Sequence, residues 1–440
     1  MDIIVIGSGP TGLLTGAALA QRGHRVVSVD RDPGPAADGS WARRGVMQFE
    51  HAHGFRPQVG DVLAKRWPAG LEAWLEAGAD PVEITLPDGT TVPIGHRSLR
   101  STFERGLRAA ALRTPGLELR AGHVDVLLTT DDQVADDQVT GIVIDGEPMR
   151  ADLVVDASGR SGRPDRCAPD PTLIGSCGMA YVDRVYRLHP DAEPGPLDGP
   201  VAAVNDYDGY QILVFLHHAG YFSVLIVEPL ADHELKVLRH RPAFEAACRA
   251  IPTLAAWTDP ERAEPVTGVL VGGALRNTYR PQRLLRGLVT VGDAVATTTP
   301  TRGRGLALAY TQVDALLELL DDGSPDARAV AEPFDAWCDT WIRPWVDDHL
   351  AVDDELVERW QGADLDLTRP LTSNSICTAA QVDPRIDEIA GPFYLMTALP
   401  ACLEPAEPLA RAAYDSGWRP PYAAGPGRDD LVEMLAAVAV

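Results

Sequence analysis

The sequence predicts an α/β protein with an α+β middle part and a helical C-terminal region, and three observations carry that prediction. Met1 to Asp30 reads as strand, glycine-rich turn, helix and second strand. Met179–Leu188 and Gln211–Val227 are long apolar runs, the second about Ala219-Gly220, as in antiparallel strands. From Val330 onward helical spacing dominates.

The first unit is the most informative. Ile3, Ile4, Val5 and Ile6 form an apolar, β-branched run, as a strand buried on both faces requires. Gly7, Gly9 and Gly12 follow with G-x-G-x-x-G spacing, then a helical pattern from Leu13 to Arg22. Gly23 ends that helix, and Arg25 to Val29 make a second strand closing on Asp30. Gly7 permits a tight turn, Gly9 lets the backbone approach a pyrophosphate, and Gly12 lets helix and strand pack closely. The helix amino end offers free N–H groups and a positive dipole, and Asp30 stands where a carboxylate accepts from a ribose hydroxyl. The unit is therefore Rossmann-like and suited to a dinucleotide.

The rest follows in chain order. Arg31 to Gly45 reads as a loop, leading into ARRGVMQFEHAHGFRP. His51 and His53 have no third ligand nearby, which favours polar packing around a ligand over a metal. Gly60–Ala77 has helical spacing, and Val82–Ile94 alternates about Asp88-Gly89, a hairpin signal. His96–Arg113 predicts a helix whose Arg97, Arg100, Glu104, Arg105 and Arg108 form a solvated face. Leu117–Leu128 and Gly141–Ile144 read as strands, and Ala151–Gly162 as a strand running into Asp156, Ser158 and Gly159. Met179–Leu188, Gln211–Val227 and Val266–Leu270 predict a mostly antiparallel sheet, with Glu234–Ile251 helical. Leu288–Val291 is a buried strand ending at Gly292-Asp293, and Gly303 and Gly305 lead into a helix. Trp337, Trp341 and Trp345 would line one helix face as packing, with Pro344 ending or kinking it. Pro420–Asp430 is turn-rich and precedes a final helix, Leu431–Val438.

Composition narrows the function. At 440 residues, two or three domains are expected, from a prior of roughly 150 residues each. The formal net charge of −24 argues against nucleic acid and anionic membranes as partners. No apolar run reaches transmembrane length, and a strand starting at Asp2 leaves no secretory signal, so a cytoplasmic protein is expected. The six cysteines show no C-x-x-C spacing, which predicts reduced thiols and no metal site.

Three motifs now align: Gly7-x-Gly9-x-x-Gly12, Asp156-Ala157-Ser158-Gly159, and Gly292-Asp293 with Pro300, Gly303 and Gly305. Over roughly residues 1 to 320 this order resembles the single-component FAD-dependent monooxygenases of the para-hydroxybenzoate hydroxylase fold. RRGVMQFEHAH, RSTFERGLR and GDAVATTTPTRGRGLALA resemble segments of the squalene- and polyether-epoxidase-like branch. The resemblance implies a discontinuous FAD-binding domain at 1–165 and 286–329, with the hairpin 82–94 joining a β-rich substrate domain at 166–285. Residues 330–440 form a C-terminal helical region. By the same resemblance Gly7, Gly9 and Gly12 cradle the FAD pyrophosphate, and Asp30 takes the adenosine ribose, with Arg31 beside it. Arg44, Gln48 and Arg100 lie along the pyrophosphate and ribityl side, Val124 meets the adenine, and Asp293 accepts from a ribityl hydroxyl. The helix opened by Gly303 and Gly305 aims its N–H groups at the flavin pyrimidine. Asp156, Gly159, Gly292 and Pro300 complete the expected set.

The family uses NAD(P)H as reductant and dioxygen as co-substrate, and a flavin hydroperoxide delivers one oxygen atom. Epoxidation or hydroxylation of an apolar, natural-product-like small molecule is thus the expected activity. An FAD-dependent reductase or a redox-neutral flavoprotein of the same fold is the alternative. Tyr181, Arg184, Gln211 and His217 are candidate pocket residues, and Thr297 to Thr299 place hydroxyls near where dioxygen adds. A base would help a phenolic substrate but not an alkene. No second strand–G-x-G-x-x-G–helix unit follows, so NAD(P)H is expected to dock near Asp156–Arg160. The chain lacks the W-x-W-x-I-P run of tryptophan-type halogenases. Ser158 and Thr299 replace the family's usual threonine and the branch's usual asparagine.

Overall fold

A computed structural model describes residues 1–43, 45–85, 89–130, 138–161, 169–321 and 326–438. Five strands form a parallel sheet in the order Leu288–Thr290, Leu153–Asp156, Asp2–Ile6, Arg25–Asp30, Leu117–Ala121. Strand side chains alternate between faces, which explains why the runs are apolar throughout. Ile3, Val5, Leu153 and Val155 enter a core shared with the helices Pro10–Gln21 and Gly305–Asp321. Ile4, Ile6, Val154 and Leu288 enter a second core under a small antiparallel sheet of Val124–Thr129, Val139–Ile144 and Glu147–Arg150. The run Leu117–Leu128, read as one strand in the sequence, is therefore two strands on different sheets, parted at Gly122-His123.

The second large sheet is antiparallel, in the order Ala202–Tyr207, Tyr210–Leu216, Tyr221–Pro229, Met179–Leu188, Ala263–Pro265. Leu270–Gly273 also pairs with Met179–Leu188. The expected strand Val266–Leu270 is instead mostly the link from Ala263–Pro265 to Leu270–Gly273, with Leu270 alone in a strand. One face of the sheet, with Val182, Tyr186, Ile212, Val214 and Val224, packs on the helices Arg241–Ala250 and Pro252–Thr258. The opposite face carries Tyr181, Leu213 and Leu225. A short sheet of Leu173–Ser176, Arg276–Tyr279 and Ala296–Thr297 stands apart from both large sheets.

Prolines cut the predicted helices. Proline lacks an N–H and pushes the preceding residue out of helical conformation, yet suits the first turn of a new helix. Gly60–Ala77 thus becomes Pro57–Arg66 and Pro68–Glu76, and Glu234–Ile251 becomes a 3-10 turn followed by Arg241–Ala250. The tryptophan stripe is divided between Ala331–Trp341 and Arg343–Trp360. Trp341 is 48% exposed while Trp345 is buried against Phe393, so the three do not share one face.

The hairpin Asp80–Thr85/Thr91–Arg97 absorbs His96 and Arg97, and the following helix is Arg100–Ala111. The hairpin's Asp88 lies outside the described residues. Most C-terminal helices pack into the core of the parallel sheet. The last, Arg428–Ala436, instead puts Leu431 and Leu435 under the antiparallel sheet.

Candidate cofactor and substrate cavity

The glycine turn is shaped by contact. Gly7 has φ +105°, and a Cβ there would stand 2.5 Å from the Ala157 carbonyl oxygen. A Cβ on Gly12 would meet the Gly7 carbonyl oxygen at 1.9 Å, so only glycine lets the helix start this close to the strand. Gly9 differs: a Cβ there would meet nothing nearer than the Arg43 guanidinium at 4.0 Å. It would project into a cavity of about 590 Å³.

That cavity is walled by both large sheets. From the parallel sheet and the turns that follow its strands come Gly7, Gly9, Asp30, Arg31, Asp156, Gly159, Arg160 and Asp293, and from the small antiparallel sheet Val124. Gln48 and Arg100 line it too, as do Pro300, Gly303 and Gly305 at the start of the helix Gly305–Asp321. From the antiparallel sheet come Tyr181, Phe215 and Leu225.

Gly12 and Gly292 lie behind the wall. Gly292 turns with φ +74° against Thr11 and donates its N–H to Gln312. Arg44 lies outside the described residues.

Charge is arranged along one side. Asp30 Oδ2 accepts the Ser8 N–H at 2.7 Å, and Oδ1 accepts the Asp32 N–H at 2.9 Å. Arg43, buried, stands 3.3 Å from Asp30 and 3.6 Å from Asp32 and also pairs with Glu104. Glu104, 1% exposed, takes Arg100 on its other oxygen at 2.6 Å. The expected solvated face of this helix is thus, at Arg100 and Glu104, a buried ion network. Both guanidiniums are matched by carboxylates, Arg43 by Asp30, Asp32 and Glu104 and Arg100 by Glu104, which fixes their positions beside the glycine turn. Burial pushes Arg100 down to about 10, with Arg43 adding to the push.

Arg100 Nη1 also stands 3.2 Å from His53 Nε2. Burial, then Arg100, holds His53 well below the usual histidine range, so the ring is neutral and accepts this bond. Burial raises the Asp293 carboxyl, with Arg160 and Arg100 opposing.

Other expectations separate here. Thr297 and Thr298 line the cavity, but Thr299 faces away, donating to Asp353 and binding Asn277 through its N–H. Arg184 lies off the cavity because it sits three residues from Tyr181 and so faces the other side of the sheet. It binds Glu245 at 2.9 Å and the Thr267 carbonyl at 2.8 Å. His217 is buried on Ser223 Oγ at 2.8 Å, and Gln211 binds Asp206; neither lines the cavity.

Sequence reasoning did not single out Asp183, two residues from Tyr181 and on the same face. Its Oδ1 stands 2.6 Å from His51 Nδ1, with the N–H not aimed straight along the contact. His51 lines the cavity as well. Among the described residues no cluster of three metal-ligating side chains occurs.

The cavity suits FAD in two respects. The open face of Gly9 leaves room for a diphosphate, and the Thr298 hydroxyl has no partner among the described residues. Residues 2–143 match the family model described as FAD dependent oxidoreductase (DAO). The chain carries an FAD-dependent oxidoreductase domain.

This flavoprotein chain is 24% identical over 340 residues to 3-demethoxyubiquinol 3-hydroxylase of Escherichia coli (strain K12), spanning 72% of this chain and 79% of that protein. It is 23% identical over 330 residues to squalene epoxidase erg1 of Schizosaccharomyces pombe (strain 972 / ATCC 24843), spanning 70% and 66%. Its fold is similar to that of the flavin-dependent brominase Bmp2, with TM-score 0.63 at 16% identity, covering 95% of this chain and 99% of that one. Among the described residues no helix is long and apolar enough to cross a membrane.

Proposed function

We propose that the chain is an FAD-dependent monooxygenase that takes electrons from NAD(P)H and places one atom of dioxygen on a largely apolar small molecule. The observation that carries this is one cavity walled at once by the dinucleotide motifs and by the apolar face of an antiparallel sheet. In this reading the dinucleotide end takes the cofactor and the apolar end a hydrophobic substrate, with water displaced by Phe215, Leu225, Leu275 and Met47.

FAD, when bound, supplies hydride acceptance and oxygen activation; the protein supplies position, electrostatics and a dry wall. In this reading Gly7 and Gly9 hold the diphosphate, with Arg43 and Arg100 lining the site beside it. Asp30 takes the ribose and Asp293 a ribityl hydroxyl. The amino end of Gly305–Asp321 stabilises negative charge by roughly 0.3–1 kcal/mol, more when buried. Arg160, at the turn after Leu153–Asp156, is the contact proposed for the NAD(P)H phosphate. The relatives' hydroxylase and epoxidase names support oxygen transfer without choosing the substrate.

The test is NAD(P)H oxidation with candidate substrates under isotopically labelled dioxygen. One labelled atom in the product is expected. Full-rate conversion without dioxygen would make the chain a reductase or a redox-neutral flavoprotein instead.

A further inference from the structure

Asp183 is wholly buried on the cavity side of the strand Met179–Leu188. An isolated carboxylate there would cost several kcal/mol, and it is held by two partners. Its Oδ2 accepts the Ala52 N–H at 3.1 Å, and its Oδ1 stands 2.6 Å from His51 Nδ1. The His51 ring meets Tyr181 edge-on, with centroids 5.5 Å apart and planes at 83°. With Nδ1 turned to Asp183, Nε2 is the nitrogen left for a ligand. Elsewhere this part of the wall is Met47, Phe215, Leu225 and Leu275. One polar pair in an apolar wall sets the orientation of whatever binds. The two histidines of H-x-H are thus committed differently: His53 to Arg100, and His51 to Asp183.

We propose that His51, oriented by Asp183, is a catalytic base at the substrate end of the cavity, and that its substrate bears an acidic hydroxyl such as a phenol. This rests on the monooxygenase reading and narrows its substrate class. The substrate O–H bond breaks, its proton forms an N–H bond at His51 Nε2, and the electron pair stays on oxygen. Asp183 stabilises the imidazolium so formed. The phenolate ring is richer in electrons and a better acceptor of electrophilic oxygen, and the proton returns to the product or to water. A plain alkene has no such proton to give, so the pair would be idle in simple epoxidation. The charged and titratable groups around the ring are Asp183 and Tyr181 on the strand Met179–Leu188. Arg160, across the cavity wall, acts on Tyr181.

The probe is para-nitrophenol, which absorbs visible light strongly only as its phenolate. Difference spectra of the FAD-loaded protein with this probe, taken across pH, read its ionisation in the cavity. The bound probe is expected to ionise at least about one pH unit below the free compound, a tenfold change in its acid constant. Asp183→Asn and His51→Gln, checked for retained flavin absorbance, should return the titration to the free value. A wild-type protein that leaves the probe's titration unchanged would overturn the proposal, as would variants that shift it equally. The latter result would make the pair a staple between the 47–54 segment and the sheet. Labelled-oxygen product analysis tests the monooxygenase reading separately, so either can fail without the other.

Discussion

Glu228 shows what an unmatched charge does at the scale of one residue. It lies buried on the strand Tyr221–Pro229, with Oε2 lacking a partner among the described residues. Burial pushes its carboxyl from 4.5 to about 7, with Asp232 adding to the push and Lys236 opposing it. The folded state therefore binds more protons than the unfolded state between those values. Stability from this group is full below pH 4.5 and falls as pH rises to about 7. The loss is at most about 3 kcal/mol. Glu228→Gln should flatten that fall, leaving the variant more stable than wild type at pH 8 but not at pH 4, as urea melts would show. Equal pH slopes for the two proteins would remove this account. At the same scale, the sequence placed the glycines and acids of the first unit because turn geometry and chemistry restrict those positions to few residue types. It did not reveal Glu104, since a charge on an amphipathic helix looks alike whether it meets water or a guanidinium.

Elements were legible where their pattern is local. The strand–turn–helix–strand of Met1–Asp30 follows from β-branched runs and glycine spacing, and the hairpin from its turn. Helix ends were less so, because 3.6-residue spacing continues across Pro68, Pro242 and Pro344 although the chain bends there. Strand parity was available and decisive: residues three apart on one strand face opposite sides, so Tyr181 and Arg184 could not both line one wall, whereas Tyr181 and Asp183 do share a face. The packing of the first helix gives a prediction at this scale. Gly12→Ala drives a methyl into the Gly7 carbonyl, where backbone meets backbone and neither yields. The variant should be less stable by roughly 1–3 kcal/mol and should lose flavin on purification. Unchanged melting and full flavin content would mean that the helix shifts freely.

For the whole molecule, the glycine-rich first unit, the apolar runs of the middle part and the helical spacing after Val330 were enough to anticipate the parallel sheet, the antiparallel sheet and the terminal helices. What they left out are contacts between distant segments: the final helix under the antiparallel sheet, and the His51–Asp183 meeting across 47–54 and 179–188. Such pairings depend on register and packing, which no single window of sequence encodes. The central claim is that the cavity between the sheets holds FAD, and it is tested most directly by titrating flavin-free protein with FAD and measuring tight, saturable uptake. One FAD per chain is predicted. Asp293→Ala should weaken binding roughly ten- to a hundredfold, the loss of a hydrogen bond to a charged group, while the protein stays folded. No flavin absorbance in the purified chain together with no uptake of added FAD would contradict the account.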